Sequence, residues 1–219
     1  MSCSRLLSLT LFFTSTLVPA GFASDVTVLK TWIQAQGEIN SLTGCFSQER
    51  KLKVLRKTLV APGRFWYQAP DRFRWDIGDP ARSVAIQNAD KLTVIDLEKG
   101  KAQVSGAEPD SSRMAAYLQM SFPRDWESFQ RQFRVLSVDR TGNVFLARLE
   151  PLDAGAARGV RGISFEIDAE SFATLAFVLD LKDGSEMRTS FSGVQRDVPV
   201  PRSTFDVSLE GLRVKEKGI

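Results

Sequence analysis

The sequence predicts a mainly β (α+β) protein: a single antiparallel, strongly curved sheet or unclosed β-barrel with an N-terminal helix and a helical insert. Three observations predict it. Apolar residues recur at helical spacing over residues 28–42. The period then falls to two through many short runs separated by turn signals. One interruption, residues 110–126, returns to helical spacing before the strands resume. Many short strands at close intervals with two helical stretches are the pattern of a curved sheet or incomplete barrel.

In the first stretch Leu29, Trp32, Ile33, Ile39 and Leu42 mark an apolar helix face, weakened by Gly37, which costs about 1 kcal/mol relative to Ala. Phe46, Gln48, Arg50, Leu52 and Val54 then share one side of a strand, and residues 58–67 form the next. Pro70 and Asp71 turn the chain into residues 72–77. There Phe73, Trp75 and Ile77 alternate with Arg72, Arg74 and Asp76, the signature of a half-buried antiparallel strand. Residues 83–87, 92–97 and 101–105 continue the pattern. In the insert Met114, Tyr117 and Leu118 form a helical stripe that Pro123 ends. Strands resume at 133–138, 144–149, 162–168, 174–181 and 186–192, and no linker or repeat divides them, so one domain is expected.

Composition closes most catalytic routes. The 219 residues include no histidine, which excludes a serine–histidine–aspartate triad and histidine-ligated zinc, and two cysteines cannot build a four-thiolate site. A net charge of +3 is too weak for a nucleic-acid protein, and no phosphate loop of the form GxxxxGK[ST] occurs. The carboxylates Asp71, Asp76, Asp79, Asp90 and Asp96 sit mostly at turns, where Asp bonds its own backbone. No catalytic residue, cofactor or metal is therefore expected.

Residues 1–23 read as a secretory leader: Arg5, an uncharged run over residues 6–18, Pro19 and small residues to Ala23. Cleavage after Ala23 leaves residues 24–219 as the exported domain, with Cys45 its one cysteine. Between Gly44 and Phe46 in a strand, that thiol is expected to be a small buried hydrophobe. The run Glu49–Lys57 carries five positive charges and one negative. It reads as a solvated hairpin that could touch an anionic membrane or an acidic partner. Phe65, Trp66, Tyr67, Phe73 and Trp75 place five rings on two adjacent strands, either as core or as the lining of an apolar cavity. Arg72 and Arg74 belong to the opposite, solvated face.

The segment from Gly63 to Trp75, GRFWYQAPDRFRW, resembles the most recognisable stretch of the LolA family of periplasmic lipoprotein carriers. The likeness continues through Pro80, the turn from Asn88 to Leu92, the strand around Val94 to Asp96, Asp125-Trp126, and a late strand at Phe205 to Val207. The resemblance implies an unclosed barrel with helices across its mouth as a lid. Its apolar interior would receive lipoprotein acyl chains from an inner-membrane release complex and carry them to an outer-membrane receptor. It implies a monomer with only transient membrane proximity, and it turns the reading of the aromatic cluster toward a cavity. With strand alternation, it assigns Phe46, Phe65, Tyr67, Phe73, Trp75, Val84, Ile86, Ile95, Met114, Leu118 and Met120 to the cavity lining. One departure stands out: the family has an arginine before the proline that holds the lid closed, and this chain has Ala69. Gln68 and Arg72 are the candidates to replace it. That departure keeps two other readings open, a carrier of another amphiphile (a glycolipid or acylated metabolite) and a lipid- or peptide-sensing interaction domain.

Overall fold

The computed structural model describes residues 21–55, 57–106, 123, 125–152 and 159–217. Helix α1 (Gly21–Gly37) precedes six strands: β1 (Ser41–Lys51), β2 (Leu59–Gln68), β3 (Arg72–Ile77), β4 (Ser83–Asn88), β5 (Lys91–Asp96) and β6 (Lys101–Gly106). After the insert come α2 (Trp126–Gln132), β7 (Phe133–Thr141), β8 (Val144–Pro151), β9 (Val160–Asp168), β10 (Thr174–Leu181) and β11 (Glu186–Arg196). A 3-10 turn (Arg202–Phe205) and β12 (Arg213–Lys217) follow. All twelve strands form one curved sheet in the order β12-β6-β5-β4-β3-β2-β1-β11-β10-β9-β8-β7. Its outer strands β12 and β7 are not paired to each other, so the barrel is unclosed. Pairing is antiparallel except between β12 and β6.

The chain leaves α1 earlier than the sequence spacing predicts. Glycine is the residue most tolerated at a helix end, and α1 stops at Gly37. Leu29, Trp32 and Ile33, at i, i+3 and i+4, form its buried stripe. Leu42 belongs instead to β1, opposite Tyr67 of β2. Helix α2 is an element that the sequence reading omits. Asp125 caps it, its carboxylate accepting from the Ser128 N–H at 2.7 Å, and Phe129 is its buried residue. The expected late strand at 205–207 is replaced by the 3-10 turn, and β12 follows it.

The sheet buries both faces, with a different cover on each. The concave face carries the main core, from Phe73 and Trp75 on β3 across to Phe133 on β7. Over its β7–β10 half lie the two described helices. Trp32 packs on Phe165 with ring centroids 4.7 Å apart and donates its indole N–H to Thr174 Oγ1 at 3.0 Å. Gln36 donates to the Phe172 carbonyl at 3.0 Å. On the convex face a second, smaller core gathers Val84, Ile86, Ile95 and Ala102 under Phe205, with Val200, Leu209 and Leu212 packed against it. Arg74 fixes this cover: its guanidinium grips Asp76 bidentately at 2.8 and 3.0 Å and donates to the Thr204 carbonyl at 3.1 Å. The face expected to be solvated around Arg74 is thus half-buried, because residues 200–212 return across it.

Carboxylates that tie loops down make the fold acid-sensitive. Asp168 accepts from the Ser171 N–H and hydroxyl, both at 2.7 Å, and from the Glu170 N–H, which together hold it below the ordinary 3.8. The Asn40 N–H does the same for Asp197, joining the β11 exit to the start of β1. Glu166, bonded bidentately by Arg188 at 2.6 and 2.7 Å, lies below its ordinary 4.5. Each depressed value means that the folded state favours the ionised form. Its stabilisation is complete above the unfolded value and is lost as pH falls through the folded one. Melting temperature is therefore expected to be flat from pH 7 to about 5 and to fall steadily below about 4. Glu166→Gln should lower the plateau and reduce the acid slope.

Candidate functional site

Strand register decides which side chains reach the concave face. Across β2 and β3, Phe65 faces Trp75 and Tyr67 faces Phe73. Phe46 arrives from β1 opposite Gly63, and Phe191 from β11 opposite Phe46. Trp75 is the centre of this group. It stacks on Phe46 at 3.9 Å and on Phe73 at 5.6 Å, and meets Phe191 edge-on at 6.0 Å. From Phe191 the contacts run on through Phe177 at 5.8 Å, Phe165 at 6.3 Å, Trp32 at 4.7 Å and Phe129 at 6.3 Å. An unbroken row of rings thus crosses the concave face from β3 to the helices. Offset and edge-to-face arrangements of this kind add about 0.5–1.5 kcal/mol per pair beyond area burial.

Two glycines let the rings lie flat on the sheet. A Cβ on Gly63 would stand 2.0 Å from Phe46 Cζ and 2.5 Å from the Asp76 carbonyl oxygen, and one on Gly44 2.8 Å from Phe65 Cε1. The Asp76 carbonyl is backbone and cannot swing aside. Gly63→Ala is expected to lose about 2–3 kcal/mol of stability through overpacking. Thermal unfolding should show it as a drop of roughly 4–12 °C.

The structure divides the predicted lining. Phe46, Phe65, Phe73 and Trp75 lie together in the concave core, with Tyr67 packed against it. Val84, Ile86 and Ile95 do not join them, which corrects the alternation-based assignment. Val84 is opposite Asp76, Ile86 opposite Arg74, and Ile95 opposite Val84, so all three share the convex face. The concave positions of these strands are Ala85, Gln87, Leu92 and Val94. Met114, Leu118 and Met120 lie outside the described residues. Sequence reading missed Phe165, Phe177 and Phe191, although each sits in a strand that it recognised; their alternation was the available signal.

Among the described residues, neither candidate replacement for the arginine near Ala69 points inward. Gln68 and Arg72 are register partners on the convex face, and the Arg72 guanidinium donates to Gln68 Oε1 at 3.1 Å. Ala69 itself donates its N–H to the Asn40 carbonyl at 2.8 Å. Cys45 corrects another expectation. It is exposed, because it alternates with Phe46 and so points out of the convex side. Toward the β1–β2 hairpin the concave face turns polar: buried Gln48 accepts from the Arg50 guanidinium at 2.7 and 3.0 Å. Among the described residues no three His, Cys, Asp or Glu side chains gather into a metal site. No described helix is long and apolar enough to cross a membrane.

Comparison with known proteins agrees with this architecture. An outer-membrane lipoprotein carrier protein of Alkalilimnicola ehrlichii is 28% identical over 81 residues, 37% of this chain and 38% of that protein's length. The crystal structure of an uncharacterized conserved protein from Thermus thermophilus superposes with a TM-score of 0.53 at 10% identity, covering 87% of this chain and 97% of the other. A DUF1329 family protein from Desulfovibrio piger gives 0.52 at 9% identity, covering 84% and 96%. At these identities the two structures show a shared fold. The family model described as outer membrane lipoprotein carrier protein LolA matches residues 37–208, from the end of α1 past β11, and the chain belongs to the LolA family.

Proposed function

We propose that the protein is an exported periplasmic carrier, a monomer that shields the acyl chains of lipoproteins against its concave face. It would receive them at an inner-membrane release complex and pass them toward an outer-membrane receptor. The observation that carries this reading is the continuous row of rings across the concave face of an unclosed sheet. An apolar path of that length, open at one seam, suits an extended chain better than a compact ligand. Family membership and the Alkalilimnicola relative support it. The leader over residues 1–23 supports export, and cleavage after Ala23 would leave the Leu29–Trp32–Ile33 stripe of α1 whole.

Energetics limit how such cargo is held. Each buried methylene contributes about 0.8 kcal/mol, so a chain of about 16 carbons would give roughly 13 kcal/mol if fully enclosed. Two or three enclosed chains would pass the practical ceiling of about 18–21 kcal/mol. The rings are already packed on one another, so cargo must displace some of these contacts, which lowers the net affinity and keeps release feasible. Transfer is then downhill, to an acceptor that buries the chains better.

A second reading, carriage of another amphiphile such as a glycolipid or acylated metabolite, is favoured by Ala69. With Gln68 and Arg72 both on the convex face, neither supplies the family's inward arginine from this strand pair. The two readings separate by tryptophan quenching. A lipopeptide with brominated acyl chains is expected to quench the fluorescence of the protein, saturably and with competition from unlabelled lipopeptide. Quenching by a brominated glycolipid alone would select the second reading. No saturable quenching by either would reject both.

A further inference from the structure

The hairpin between β1 and β2 has chemistry that the concave face does not use. β3 ends at Ile77 opposite Gly63, so residues 59–61 of β2 run on with no β3 partner and the hairpin projects beyond that side of the sheet. On the other side it is braced by the β10–β11 turn: Lys51 pairs with Glu186 at 2.7 Å, the Lys53 N–H donates to Ser185 Oγ at 3.2 Å, and the Lys53 stem passes over Gly184. At the apex Val54 is 88% exposed, with Leu55, Leu59 and Val60 exposed beside it. Aliphatic side chains in water on a projecting tip contribute nothing to the fold. Lys53 and Lys57 flank them and make no ion pair among the described residues. Acidic groups nearby are Glu49, Asp183 and Glu186, of which Glu186 is engaged by Lys51.

We propose that this hairpin is a docking element for the anionic leaflet of a phospholipid bilayer. Val54 and Leu55 enter the interface while Lys53 and Lys57 settle among lipid phosphates. An aliphatic apex ringed by cations is the arrangement that binds such an interface, because apolar burial and attraction to anionic lipid add. An acidic protein surface would call on the lysines but give Val54 no role. Insertion is shallow, since residues 59–61 pair with β1 on one edge only, and the polar groups of the other edge need water or headgroups. The hairpin brings the sheet to the bilayer surface, where an acyl chain must be collected or surrendered. The docking itself does not depend on what the concave face carries.

The test is co-sedimentation of the exported, delipidated protein with vesicles of phosphatidylcholine and phosphatidylglycerol (70:30) and of phosphatidylcholine alone. The protein is expected to bind the anionic vesicles, more weakly as salt rises. Val54→Ser with Leu55→Ser should weaken binding at least about tenfold. Lys53→Gln with Lys57→Gln should weaken it by about fivefold per lysine on the anionic vesicles. Far-UV circular dichroism should be unchanged for both exposed-tip variants. Absence of binding to anionic vesicles would overturn the proposal. So would wild-type binding by the Val54/Leu55 variant alongside loss in the lysine variant, a pattern of charge attraction alone with no entry of the apex into the interface. Vesicle binding is read without cargo, so its failure is distinct from a failure of acyl-chain carriage.

Discussion

Trp75→Ala is expected to lose about 3–5 kcal/mol of folding free energy, among the largest effects of any single substitution in this chain. The indole is 1% exposed and is surrounded by Phe46, Phe65, Phe73 and Phe191, all within 6.0 Å between ring centroids. These rings come from four strands, so no one of them can move into the vacated space without breaking another contact. A residual cavity is the consequence, and the penalty rises with its volume. Urea unfolding should show a lower midpoint with an unchanged slope. The same variant should weaken acyl-chain binding, since Trp75 links the β1–β3 rings to Phe191 and the row beyond. Wild-type affinity in the folded variant would remove Trp75 from the proposed path.

Phe205→Ala should destabilise the fold by about 3 kcal/mol or somewhat more and leave cargo affinity unchanged. Phe205 is 2% exposed and closes the convex core over Val84, Ile86 and Ile95. Without it the 200–212 cover keeps chiefly the Arg74–Thr204 hydrogen bond and smaller apolar contacts. Limited proteolysis is expected to cut within that segment much faster than in the parent. The two substitutions together test the division of the sheet: both remove a buried aromatic, and only the concave one should alter binding. Equal effects on affinity would mean that the faces are not functionally separate.

Much of the sheet was legible because most strands bury one face harder than the other. β3 and β10 appear at their expected bounds, since their apolar periods are clear and their ends carry strong turn signals. Sidedness failed where alternation is lost. In β4, Val84, Ala85 and Ile86 are apolar in succession because both faces are covered, and the cover is Phe205, over a hundred residues later. No local pattern carries that information. Cys45 failed for a related reason: its neighbour Phe46 is buried, and in a strand a buried neighbour places the next residue outside. Strand β12, with the sequence RVKEK, has little apolar period to read; it forms as a parallel addition to β6 after the cover has crossed the convex face. In the candidate site, the rings of β1–β3 were found because they cluster in sequence. Phe165, Phe177 and Phe191 are dispersed singly over three strands and meet only through register.

Native mass spectrometry of the protein released gently from the envelope of its own cells tests acyl-chain carriage most directly. The expected spectrum contains an adduct that dissociates on activation into the carrier and an acylated protein. A carrier recovered only in the apo form, and remaining so after incubation with acylated donors, would contradict it.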